Sequence, residues 1–132
     1  MPLEDNKTVI SRFLQEGFNQ RNLTIVDEVF ASNHILRSPL TGVGGVSGTE
    51  VIKRALEDYH VHGTGSRCTI LNQIAEGDWG ATSYTLGEEQ EEHMGVMSSR
   101  LVDGKIQETF VVARDVVSES EDFLSPLRQH FN

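Results

Sequence analysis

Few side chains in this sequence can move a proton near neutral pH. His34, in NHILRSP, is the first candidate, because an unperturbed imidazole titrates near pH 6.5 and suits a general base. His60, in DYHVH, is the second. Its neighbour Tyr59 reads either as core packing or as a hydrogen-bond donor. His60 and His62 have the spacing to reach one metal ion from a strand, but no further ligand lies near them in sequence, so no metal site is expected. Arg37 cannot serve as a base; its planar guanidinium suits holding a ligand carboxylate or a buried acid. Cys68 is the only cysteine, which rules out an intramolecular disulfide. No helix N-terminus lies beside it in sequence to lower its pKa, so it reads as structural.

Two other stretches look chemical and read as bland. LTGVGGVSGTE, residues 40–50, is Gly-rich but lacks the Gly-Lys-Ser/Thr of a phosphate loop and the spacing of a dinucleotide fold, so it reads as a flexible connection. The acidic run at 88–92 lacks the spacing of a calcium loop and reads as a solvated hairpin tip.

The elements that must position these residues follow from periodicity. Val9, Ile10, Phe13, Leu14 and Phe18 recur at helical spacing, which predicts a helix over 5–20. Gln20, Arg21 and Asn22 interrupt it, and Ile25, Val26, Val29 and Phe30 predict a second over 24–31. A short strand follows at 34–38, ended by Pro39. Ser47 with Glu50 forms a capping box, which predicts a third helix over 48–60 with Val51, Ile52, Leu56 and Tyr59 inward. Four strand-like runs come next, at 66–75, 79–87, 93–102 and 105–115. Gly77-Asp78 and Asp103-Gly104 lie between pairs of them as hairpin turns. Ser125 and Pro126 open a last short helix. Segregated helices and antiparallel strands give an α+β chain, whose economical packing is a curved sheet wrapped on helices around a pocket.

Composition narrows the function further. The chain has 132 residues, the length of one domain, with 20 acidic and 11 basic side chains and a formal charge of −9. That field repels phosphate backbones and anionic membrane surfaces, so neither nucleic acid nor membrane is an expected partner. MPLEDNKTVI has neither the basic nor the apolar part of a secretory signal, and no apolar run approaches membrane-helix length, so a cytoplasmic protein is expected.

Four stretches carry a family resemblance. NKTVISRFLQEGFNQRNLTIVDEVFASNHILRSP is similar to the start of SnoaL-like proteins, and ILNQIAEGDWGATSYTL and SRLVDGKIQETF resemble two of their hairpins. FLSPLRQHF resembles their final helix. In this order, over about residues 6–130, they resemble the SnoaL-like branch of the nuclear transport factor 2-like fold, which also hosts ketosteroid isomerases. The resemblance implies one domain over 1–132. Three N-terminal helices would pack in a curved mixed sheet, with a short C-terminal helix. It also implies a hydrophobic pocket and a homodimer through the outer sheet face, where Phe110 and Glu108 point.

The family's functional positions carry over one at a time. The cyclase carboxylate on the last strand falls on Val111, and its assisting histidine on Met97. The isomerase base before the first-strand proline falls on Ser38, and its oxyanion-hole tyrosine on Leu14. Histidines of other relatives fall on Thr109 and Arg37, and a frequent tryptophan on Tyr84. The family register turns Gln107, Thr109, Val111 and Ala113 toward the pocket, joined by Met97, Ser99 and Leu101. The expected ligand contacts are thus Leu14, Phe18, Arg37, Ser38, Tyr59, Tyr84, Met97, Ser99, Thr109 and Val111. His34 and His60 are the catalytic candidates, with no cofactor. The implied function is proton-transfer chemistry on a hydrophobic polyketide- or terpenoid-like ligand: cyclisation, isomerisation or dehydration. The alternatives are a non-catalytic binding module with the same pocket and a dimerisation scaffold.

Overall fold

The computed structural model describes residues 3–62, 65–88 and 91–113. Helix α1, Leu3–Arg12, runs without a break into a π-helical segment, Phe13–Asn19. Helix α2 is Ile25–Val29, strand β1 Phe30–Ser38, strand β2 Gly42–Ser47 and helix α3 Glu50–His62. The meander is β3 Arg67–Glu76, β4 Trp79–Glu88, β5 Glu91–Val102 and β6 Lys105–Ala113. The six strands form one mixed sheet in the order β2-β1-β6-β5-β4-β3. β1 runs parallel to β6, and every other pair is antiparallel. The α+β class and the mixed sheet agree with the reading of the sequence. The short helix expected at Ser125 and Pro126 falls outside the described residues.

The turns behave as their residues require. Asp103 and Gly104 both have positive φ, 52° and 78°, the geometry of the two-residue turn whose twist matches a hairpin. One face of the sheet meets α1, the π-helical segment and α2, and the core gathers there around Ile10, Leu14, Ile25, Val26, Leu56 and Ile106. Burial of this apolar surface is the main stabilising term.

Three expectations change. The Gly-rich stretch is not a loose connection: Gly42–Ser47 is an edge strand whose Val46 pairs with Leu36. Gly45 makes that pairing possible, since its φ is 72° and a Cβ there would lie 2.7 Å from the Leu36 carbonyl oxygen. Ser47 belongs to this strand and caps nothing; the first turn of α3 closes instead on the Thr49 carbonyl, which accepts from the Ile52 and Lys53 amides. Finally, the predicted single α-helix over 5–20 changes winding at Phe13. The Gln20 amide there reaches back five residues to the Gln15 carbonyl at 3.1 Å.

Candidate functional site

The wide winding of the π-helical segment turns Phe13, Leu14 and Phe18 onto one side, against the sheet. The Phe13 and Phe18 rings meet edge to face at 5.7 Å. Two contacts hold the segment in place. Gly17 packs so closely on Leu56 of α3 that a Cβ would lie 3.4 Å from its methyl carbon. The His60 Nε2 lies 2.7 Å from the Gly17 carbonyl oxygen and donates to it.

Between these helices and the sheet lies a cavity of about 200 Å³. Phe13, Leu14 and Phe18 form one wall, and Val51, Ile52, Ala55 and Leu56 of α3 another. β1 contributes Phe30, His34 and Leu36. Tyr84, Met97, Thr109 and Val111 supply the floor. Among the described residues the lining holds no Lys, Arg, Asp or Glu, and its polar side chains are His34, Tyr84 and Thr109.

Two strand irregularities aim His34 and Thr109. The β1–β6 register slips between Phe30 and Ile35, and the β5–β6 register between Arg100 and Leu101. The second slip makes Gln107 an extra residue, so Ile106 and Thr109 both face inward. Gln107, expected on the pocket face, reaches instead to the Asn33 side-chain oxygen at 3.0 Å. His34 thereby meets Thr109, with Nε2 and Oγ1 2.9 Å apart. The Ser99 hydroxyl continues the chain, 3.4 Å from Thr109 Oγ1.

His34 is wholly buried, with the edge of Phe30 against it at 4.8 Å. Its Nδ1 has no hydrogen-bond partner among the described residues. Burial drives its pKa down to about 4, and the Glu108 carboxylate behind Thr109 offsets only part of that. The imidazole is therefore neutral at pH 7. With Nε2–H donating to Thr109, Nδ1 offers a lone pair; with Thr109 donating to Nε2, Nδ1 offers an N–H. Tyr84 lies across Gly95, where a Cβ would sit 2.5 Å from Cζ, so only glycine admits the phenol. Burial, with the nearby Cys68, raises the Tyr84 pKa to about 12, and the hydroxyl stays protonated.

Seven of the expected site residues line the cavity: Leu14, Phe18, His34, Tyr84, Met97, Thr109 and Val111. Ser99 stands behind Thr109. Tyr59 stands behind Phe18, its ring edge-on at 4.9 Å. Three lie away from it. Arg37 ion-pairs with Glu108 on the outer face and stacks over Phe110 at 5.3 Å. Ser38 builds the turn after β1, its amide donating to Thr41 Oγ1 at 2.9 Å. His60 is engaged with Gly17. Among the described residues no group of three or more His, Cys, Asp or Glu could hold a metal ion. Cys68 is buried, with its thiol pushed up to about 12, in keeping with a structural role.

Lining residues missed in the sequence include Phe13, Phe30, Leu36 and Ala55. Leu36 was accessible by alternation from His34, and Ala55 by helical spacing from Val51. No local signal separates a residue that lines a cavity from one that fills a core.

Known proteins match this arrangement in fold. The candidate polyketide cyclase IdmH of Streptomyces antibioticus superposes with a TM-score of 0.71 at 17% identity, over 89% of this chain and 98% of that one. A candidate ketosteroid isomerase of Kribbella flavida also scores 0.71 at 17% identity, over 88% and 82%. A candidate SnoaL-like polyketide cyclase of Jannaschia sp. scores 0.67 at 16%, over 94% and 93%. No curated protein matches the chain in sequence. No helix among the described residues is long and apolar enough to cross a membrane. Residues 10–109, which span all but the ends of the helix-lined sheet, match the SnoaL-like domain, and the chain belongs to that family, with the nuclear transport factor 2-like fold.

Proposed function

We propose that the protein binds a hydrophobic small molecule in this cavity and acts on it by cofactor-independent proton transfer through His34. The observation that carries the reading is the Nδ1 of a fully buried imidazole, unpartnered among the described residues, on the wall of a mainly apolar cavity. An apolar side chain there would avoid the cost of burying an unsatisfied polar atom, about 1–3 kcal/mol. Such a cost is ordinarily retained where a ligand or a reaction uses the group. In the proposed step, the imidazole takes a proton from the carbon beside a ligand carbonyl. The C–H electron pair moves toward the carbonyl oxygen, forming an enolate. The imidazolium then returns the proton to the far carbon of a conjugated enolate, which leaves an isomer, or to the alkoxide formed when the enolate carbon attacks a second carbonyl of the ligand, which closes a ring. An imidazolium with a pKa of about 4 gives its proton back readily.

One observation favours a second reading, a binding module without turnover. Efficient general bases have pKa values near the working pH. His34 lies well below it, and among the described residues no carboxylate lines the cavity as a second proton carrier.

The experiment is to identify the ligand by native mass spectrometry of protein from its own host, then to measure turnover and affinity in wild type and His34→Leu. A loss of about 10²–10⁴-fold in turnover, with affinity held within roughly tenfold, supports the enzyme. Undiminished turnover in His34→Leu removes His34 from the mechanism. Binding without turnover in the wild type establishes the second reading.

A further inference from the structure

We infer that the ligand of this cavity is a compact, uncharged molecule of one or two fused rings, bearing an oxygen for the His34–Thr109 pair. The inference rests on the cavity being the functional site, as proposed above, and adds size, charge and polarity to it.

Size comes first. The cavity measures about 200 Å³. A 150 Å³ apolar cavity takes benzene, and drug-sized ligands need roughly 300 Å³ or more, so this one admits roughly ten non-hydrogen atoms. A four-ring skeleton exceeds it.

Charge follows from the lining. Among the described residues of the walls, a ligand carboxylate would have to shed its water with no Lys or Arg to receive it. Arg37 of β1 is committed to Glu108 on the opposite face of the sheet. A ligand ammonium would find no Asp or Glu among the described lining residues. The formal charge of −9 further opposes an anion.

Polarity follows from what is already engaged. The Thr109 hydroxyl serves both His34 Nε2, at 2.9 Å, and Ser99 Oγ, at 3.4 Å. The Tyr84 hydroxyl lies over the backbone at Gly95 and, like His34 Nδ1, has no hydrogen-bond partner among the described residues. Either tautomer of His34 suits an oxygen-bearing ligand: an N–H donates to a ketone, a lone pair accepts from an alcohol, and the same lone pair, turned to the carbon beside a ketone, is the base of the proposed step.

The test uses the whole chain and one rigid ten-carbon cage, matched in size to two fused rings, in several forms: adamantane, 2-adamantanone, 1-adamantanol, adamantane-1-carboxylate and 1-aminoadamantane. A four-ring steroid ketone completes the set. Binding is read by calorimetry and by shifts of the Met97 and Ala55 methyl signals. The expected result is that the ketone or the alcohol binds at least tenfold more tightly than the carboxylate, the ammonium and the steroid. It also binds more tightly than adamantane, and this last advantage disappears in His34→Leu. Equal or tighter binding of a charged form, or of the steroid, at the same methyl groups overturns the inference while leaving the cavity as the functional site. No methyl shift with any compound overturns both. Because the wild-type series decides size and charge by itself, poor folding of His34→Leu does not rescue a failed outcome.

Discussion

Asn19 and Cys68 exchange two hydrogen bonds: the Asn19 amide donates to the Cys68 carbonyl at 2.9 Å, and the Cys68 N–H donates to Asn19 Oδ1 at 2.7 Å. The pair fastens the last residue of the π-helical segment to the start of β3, beside a wholly covered thiol. Asn19→Ala leaves both backbone groups without their partners. We expect it to cost about 1–3 kcal/mol. Urea denaturation measures this, and a loss within about 0.5 kcal/mol would show that the segment is held by packing alone.

Acid should destabilise the fold through His34. Its pKa falls from 6.5 in the unfolded chain to about 4 when buried, so between these values the unfolded state binds the extra proton. Stability therefore rises with pH across that window and levels off above it. The contribution lost on acidification to about pH 4 is on the order of 3 kcal/mol. His34→Leu should flatten this part of the profile relative to wild type. Parallel profiles from pH 7 to pH 4.5 would mean that His34 titrates normally.

Gly95 is where the backbone makes room for Tyr84. In Gly95→Ala the new methyl group would lie 2.5 Å from Cζ and 2.6 Å from the hydroxyl. The buried ring has to move, at a cost of about 1–3 kcal/mol. Tyr84→Ala removes the clash, so a double-mutant cycle should show that Gly95→Ala costs far less in the Tyr84→Ala background. Additive costs would place the strain elsewhere.

The outer sheet face carries Trp79 and Phe110, with ring centroids 6.1 Å apart, and the exposed Ile74, Val96 and Val112. In the middle of this face Arg37 and Arg100 both bond Glu108, which neutralises that charge locally. We propose that a second copy of the chain covers this face, because exposed apolar side chains set around a neutralised charge suit an interface and two like faces pair about a two-fold axis. With −9 on each copy, added salt should strengthen the dimer. Val112→Glu should yield a monomer by sedimentation velocity while leaving ligand binding intact. A wild-type monomer at high micromolar concentration and high salt defeats the proposal.

Periodicity alone determined most of the elements, because a helix and a strand are set by neighbours a few residues apart. Val9, Ile10, Phe13 and Leu14 mark the first helix, and Asp103-Gly104 marks its hairpin by φ preference. The motifs in their order pointed to the family. The tertiary structure alone decided what depends on distant contacts. The winding of Phe13–Asn19 follows from its contacts with Leu56, His60 and Cys68. Gly42–Ser47 is a strand because β1 offers it an edge. Gln107 leaves the pocket face because one extra residue in β6 shifts the alternation, and a period of two carries no memory of such a slip. His34 makes the same point in its chemistry. Residue type and position named it as the first candidate base, with an ordinary imidazole pKa. Its partner Thr109 lies 75 residues away, and a pKa of about 4 arises from desolvation by β1, β6 and the helices together. Burial is a property of the packed chain, and no residue's neighbours in sequence can supply it.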